Sequence, residues 1–349
     1  MLVSWRALGR STVVHSRRLA LSASQPRPYA FHVGVGFMGK PEGDELRHPY
    51  ISRPFPPTHP VIPFRERMLA WKKDSVSGSA GQDFFYVQEV LPKFLFELQG
   101  LSIGIADGVG GIIPSLFSQA LMCYASHAAS TNWPSEPHRD PLTDEDTPLL
   151  VGIELSPTDI MGRAFKVSAP LPYLSRWAST ACIINLDATS GRLKAANIGD
   201  SGFYVIRGSN IVHAQPPQTH YFNCPFQLTK LPPNFSESWD TQPDHASTYT
   251  MTLRHGDIII AYTDGLSDNV LPAEVTAYTA SIMRRSQSDQ QKAQYLADFL
   301  TLYARRCMYD FGRLSPFGLD WAKHYRERVA SGGKVDDVTV VVVVVQEET

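Results

Sequence analysis

The sequence predicts an α+β fold in which helices cover packed antiparallel sheets. Short apolar runs recur at hairpin spacing between residues 180 and 265, while helical spacing is confined to separate stretches. Residues 340–345 are six consecutive valines, too few to cross a membrane, and read as a buried strand because β-branched side chains favour the pleated geometry.

Taken in order, residues 1–30 carry Arg6, Arg10, Arg17, Arg18 and Arg27 and no acid, the composition of a mitochondrial transit peptide. RRLA (17–20) and RPYA (27–30) both resemble processing sites, and a basic tail is the alternative reading. The domain then runs over 31–349. AFHVGVGF (30–37) alternates apolar and small residues like an edge strand, and the Pro-rich stretch 39–70 reads as an irregular connecting arm. Strands are expected at 84–90 and 101–106, and helices at 114–128 and 157–168. Between those helices, 131–157 is acidic, polar and Pro-containing, a surface insertion. TACIINLD, RLKAANIG, GFYVIRG and NIVHA are short strands, 248–265 reads as a hairpin, 272–308 as helix, 318–330 as a further helix, and VTVVVVVV as the last strand.

Composition narrows the function. The chain is 43% hydrophobic and 19% charged, which is globular. Beyond the leader, 27 of the 32 basic residues face all 34 acidic ones, so no general footprint for nucleic acid exists. No transmembrane segment is expected. Cys123, Cys182, Cys224 and Cys307 are widely spaced, which argues against a disulfide framework and a thiolate metal site; Cys182 reads as a core residue.

The chemistry lies where apolar runs stop at aspartate. IGIADGVGG reaches Asp107, IIIAYTDGLSDN reaches Asp264 with Asp268 four residues on, and AANIGDSG reaches Asp200. Asp83 precedes FFYV, and Asp336 and Asp337 precede the valine strand. Each could cap a turn. Carboxylates converging at a sheet edge would repel one another unless a divalent cation joined them, and oxygen ligands suit Mg²⁺ or Mn²⁺. Without H-x-x-x-H or paired cysteines, zinc is disfavoured.

In this order, GQDFF, ADGVGG, STACIINL, NIGDSGF, TDGLSDN and GGKVDDVTVV resemble the successive motifs of the metal-dependent type 2C serine/threonine protein phosphatases, over roughly residues 70–345. HYFNCPFQL (220–228) and YDFGRLSPF (309–317) resemble the mitochondrial branch. The resemblance implies a β-sandwich of two antiparallel sheets flanked by α-helices. It implies two Mg²⁺ or Mn²⁺ ions per site, with Asp107 bridging both, the Gly108 carbonyl on one, and Asp83, Asp264 and Asp336 as further ligands. Asp200 and Asp268 match acids of a third ion, and Asp337 falls behind the ligands. The implied reaction is hydrolysis of phosphoserine and phosphothreonine in proteins by a metal-activated water, in the mitochondrial matrix, with phosphoprotein substrates as partners and a monomeric enzyme.

Three positions depart from the family pattern: Val109 stands where many relatives have His, Gly78 where many have Arg, and Gln82 where an acid precedes Asp83. His220 is the candidate proton donor, with a structural His the alternative, and Lys72 and Lys73 are candidate phosphate contacts. Tyr221, Phe222 and Phe226 read as rim or core packing or as a substrate edge. A phosphoprotein-binding pseudophosphatase and a hydrolase of small phosphoesters stay open as alternatives.

Overall fold

The computed structural model describes residues 29–41, 55–71, 79–90, 99–109, 114–131, 155–169, 177–230, 241–328 and 331–348. Its frame is ten strands: β1 (Tyr29–Met38), β2 (Phe84–Val90), β3 (Gly100–Ala106), β4 (Ala181–Asp187), β5 (Arg192–Ile198), β6 (Gly202–Arg207), β7 (Asn210–Ala214), β8 (Ser247–Thr252), β9 (Ile258–Tyr262) and β10 (Val338–Glu347). They form two five-stranded antiparallel sheets, ordered β1-β10-β9-β6-β7 and β8-β5-β4-β3-β2.

The valine run explains how the layers stack. β10 is flanked by β1 and β9, and both its faces are covered. Val341, Val343 and Val345 point into the core between the sheets with Val33, Val35, Ile103 and Ile105. Val340, Val342 and Val344 point outward against a helical layer. A strand with two apolar faces has no polar alternation, hence the unbroken β-branched run.

The helices are α1 (Val61–Leu69), α2 (Pro114–Thr131), α3 (Pro157–Ser168), α4 (Asp264–Ser267), α5 (Pro272–Met283), α6 (Asp289–Met308) and α7 (Pro316–Tyr325). Helices α2 and α3 cover the second sheet, and α5 and α6 cover the outer face of the first. The sandwich flanked by helices is the architecture that the motifs implied.

β1 sits at the sheet edge, as its alternation predicted, with Val33, Val35 and Phe37 facing inward. Its glycines face α6: a Cβ on Gly34 would collide with the Ala293 carbonyl, and one on Gly36 with that of Ala297. Only glycine permits that backbone approach. Gln290 and Gln294 of α6 donate to the free carbonyls of Val33 (2.7 Å) and Val35 (2.8 Å), which closes the exposed edge.

Four expectations need correction. Residues 248–265 do not form a hairpin: β8 pairs with β5, whereas β9 pairs with β10 and β6 in the other sheet. The burial patterns show why. β8 alternates as a half-exposed edge, while every residue of β9 is buried. Residues 254–257 cross between the sheets, pinned by buried Asp257, which accepts from Arg207 Nε and Nη2 (both 2.7 Å) and from the Arg254 amide (2.8 Å).

The stretch 272–308 is two helices, because Ser288 starts α6 afresh with a capping box to Gln291. The arm 39–70 contains α1. Pro63 lies in its first turn, where no amide partner is lost, and Val61, Phe64 and Met68 bury one face. Finally, α7 begins at Pro316 under a Ser315 cap and ends at Tyr325, because Arg326 turns left-handed (φ 57°). The leader up to residue 28, Lys72, Lys73, Gly78, Gly110, Gly111 and most of the 131–157 insertion lie outside the described residues.

Candidate metal centre

Strand register brings the aspartates together. Phe84 pairs with Ala106, so Asp83 entering β2 and Asp107 leaving β3 occupy one end of the second sheet. In the first sheet Tyr262 pairs with both Gly202 and Val340. Asp200, Asp264 and the Asp336–Asp337 pair therefore emerge at one end as well. Carboxylate oxygens of Asp107, Asp200 and Asp264 lie within 4.8 Å of one another.

Each side chain is held from behind. The Asp107 amide donates to Thr180 Oγ1 (3.0 Å), and its carbonyl accepts from the Thr180 amide (2.9 Å) and Ser179 Oγ (2.8 Å). Thr263 joins the two sheets: its hydroxyl donates to Asp83 Oδ2 (2.7 Å) and accepts from the Thr339 amide (2.9 Å). Gly108 is buried and pairs with Ser179. Asp337 accepts from the amides of Lys40 (2.6 Å) and Gln82 (2.8 Å), so it ties the end of β1 to the approach to β2. Gly81 must be glycine here: its φ is 68°, and a Cβ would strike the Asp337 carboxylate.

The electrostatics are those of crowded buried acids. Burial pushes Asp83 and Asp107 well above the ordinary carboxylate range, and the neighbouring carboxylates push further: Asp337 on Asp83, Asp264 and Asp83 on Asp107. Burial and the charges of Asp264 and Asp268 push Asp200 up to about 8; burial and Asp264 push Asp268 up to about 7. Asp264 is raised by burial and partly relieved by Lys334. Two buried oxygens, Asp83 Oδ1 and Asp200 Oδ1, find no hydrogen-bond donor.

One ammonium offsets part of this charge. Lys334 Nζ contacts Asp264 Oδ2, Asp268 Oδ2 (3.0 Å) and Asp336 Oδ2 (3.1 Å). Burial disfavours its charge, yet the three carboxylates hold its pKa far above the usual lysine value. Lys40 adds a weaker pair to Asp336 at 3.4 Å. Asn269 fixes the Lys334 backbone by donating to its carbonyl (2.9 Å) and accepting from its amide (2.9 Å).

Of the residues singled out in the sequence, Asp83, Asp107, Gly108, Asp200, Asp264, Asp268 and Asp336 meet at this end of the sandwich. His220 lies on the short strand Thr219–Tyr221 with its ring 4.3 Å from that of Phe226. Thr263, Asn269 and Lys334 were not singled out. Little that is local marks them: Thr263 holds Asp83 across 180 residues, Asn269 holds the Lys334 backbone across 65, and Lys334 reaches Asp264 and Asp268 across 70 and 66.

An all-oxygen donor set with unpartnered buried oxygens fits hard divalent cations such as Mg²⁺ or Mn²⁺. The fold and the carboxylate set match what the motif resemblance implied, the class of metal-dependent serine/threonine phosphatases. The curated relatives and the solved structures agree. No family model matches the chain. It is 36% identical over 256 residues to the protein phosphatase PTC7 homolog of Xenopus laevis, covering 71% of this chain and 77% of that one. It is also 36% identical over 264 residues to the Homo sapiens PTC7 homolog, covering 71% and 76%. Among solved structures, the photosystem II phosphatase PBCP shares the fold with a TM-score of 0.56 and 23% identity, over 90% of this chain and 98% of that one. The chain belongs to the type 2C protein phosphatases, in the group of PTC7 homologues.

Proposed function

We propose that the chain removes phosphate from phosphoserine and phosphothreonine in proteins of the mitochondrial matrix, acting as a monomer, with residues 1–30 as the import leader. The meeting of carboxylates from both sheets at one end of the sandwich is the observation that carries the catalytic part. Asp107, the Gly108 carbonyl, Asp83, Asp264 and Asp336 would hold two Mg²⁺ or Mn²⁺ ions, with Asp200 and Asp268 available to a third. When bound, such ions supply a lowered water pKa and neutralise phosphate charge.

The chain's own groups set the geometry. Thr180 and Ser179 lock the Asp107 backbone, and Thr263 orients Asp83. Asp337 stands behind the ligands, with both its oxygens taken by backbone amides. We carry His220 forward as the candidate for proton delivery to the departing serine or threonine oxygen: its ring packs on Phe226, and its neighbours Thr219 and Tyr221 line the cleft beside Asp200 and Asp268. The intact acid set favours turnover over mere binding, since a binding module gains nothing from unpartnered buried carboxylate oxygens.

The test is phosphate release from a phosphothreonine peptide with and without Mn²⁺. Wild type is expected to require the ion, and Asp107→Asn to lose release while still unfolding cooperatively. Equal release by Asp107→Asn would contradict the assignment.

A further inference from the structure

A cleft of about 620 Å³ opens off the carboxylate centre. Asp200 and Asp268 line it, together with the 217–223 segment (Pro217, Thr219, Tyr221, Phe222, Asn223) and α7. Its floor is aromatic. The Phe222 ring lies 5.2 Å from Phe317, 5.6 Å from His324 and 5.8 Å edge-on from Tyr325. Phe317 anchors this floor to the centre: its amide donates to the Asp268 carbonyl (3.0 Å), and Lys334 Nζ sits 5.7 Å from its ring centroid. On the α7 side the exposed cations Lys323 and Arg326 line the cleft, with Asp320 as an opposing charge.

We propose that this cleft seats the polypeptide flanking the phosphorylated residue, and that Lys323 and Arg326 make it select acidic flanking side chains. The inference rests on the phosphatase assignment and adds the substrate class. A phosphate held at the carboxylate end leaves the cleft for the neighbouring residues of the substrate. The aromatic floor offers flat apolar contact to any backbone. The cations then discriminate: an acidic flank gains attraction and a basic flank is repelled, while a small phosphate ester reaches neither.

The experiment compares kcat/KM for two phosphothreonine peptides, identical except for Glu or Lys flanks, with p-nitrophenyl phosphate as reference. Wild type is expected to prefer the acidic peptide by about tenfold at low salt, less as ionic strength rises. In the double variant Lys323→Glu/Arg326→Asn that preference is expected to fall at least about fivefold. Asn at 326 keeps the left-handed backbone comfortable. A preference that survives in the variant overturns the inference, whether both rates stand or both fall together. So does a wild type indifferent to the flanks or favouring Lys. Absence of turnover on all three substrates refutes the phosphatase assignment itself and takes this inference with it, whereas turnover without preference refutes this inference alone.

Discussion

Lys334 faces three carboxylates, and a cation occupying their oxygens must displace it. Removing one partner of a buried charge cluster costs about 3–5 kcal/mol. Lys334→Met is therefore expected to lower the melting temperature of the metal-free protein and to enlarge the rise produced by Mn²⁺. Calorimetric scans with EDTA and with Mn²⁺ measure both, and an unchanged Mn²⁺ increment would contradict this role. His220 is tested through the leaving group. Nitrophenolate departs without a proton, whereas a threonine alkoxide needs one. His220→Gln should lower kcat on phosphothreonine peptide by about tenfold or more relative to p-nitrophenyl phosphate; equal effects on both would remove it from the reaction. The aspartates were legible because an acid at the end of an apolar run is a local signal. Lys334, Asn269 and Thr263 were not, because their roles exist only once the two sheets meet. His220 was legible only as a residue type; the packing of its ring on Phe226 emerges with the fold.

At the scale of elements, β1 and α6 touch so closely that two glycines are obligatory. Gly36→Val would drive a side chain into the Ala297 carbonyl and Thr301. Forced overpacking costs roughly 1–3 kcal/mol, and backbone on one side leaves little room to relax. Urea unfolding should show at least that loss, and an unchanged midpoint would contradict the packing. Strand positions were legible from composition because β10 and β9 are buried on both faces and β1 on one. Pairing was not. The turn at residues 254–257 looks like a hairpin loop, yet it carries the chain across the sandwich, and only the contrast between an alternating β8 and a wholly apolar β9 marks the two as members of different sheets. Pro63 hid α1 for a related reason: proline in a first turn and proline in a loop look alike in sequence.

At the scale of the whole molecule, the centre couples metal, protons and stability. Without metal, the folded chain keeps protons on Asp200 and Asp268 up to about pH 8 and 7. The unfolded chain has released them above about pH 4. The folded state thus binds more protons across this window, and stability falls as pH rises from about 5 to 8. The EDTA-treated protein is expected to melt roughly 5 °C or more lower at pH 8 than at pH 5. Mn²⁺, which replaces those protons, should stabilise most at the upper end. Stability that rises over this range in EDTA would contradict the electrostatic account.

The central claim is that aspartates distant in sequence form one cage for divalent cations. Anomalous diffraction from crystals grown with Mn²⁺ tests it most directly. The account predicts at least two anomalous peaks within coordination distance of Asp83, Asp107, Asp264 and Asp336, with Lys334 displaced from the carboxylates. Ordered Mn²⁺ elsewhere, with the Lys334 contacts to Asp264, Asp268 and Asp336 intact, would contradict it.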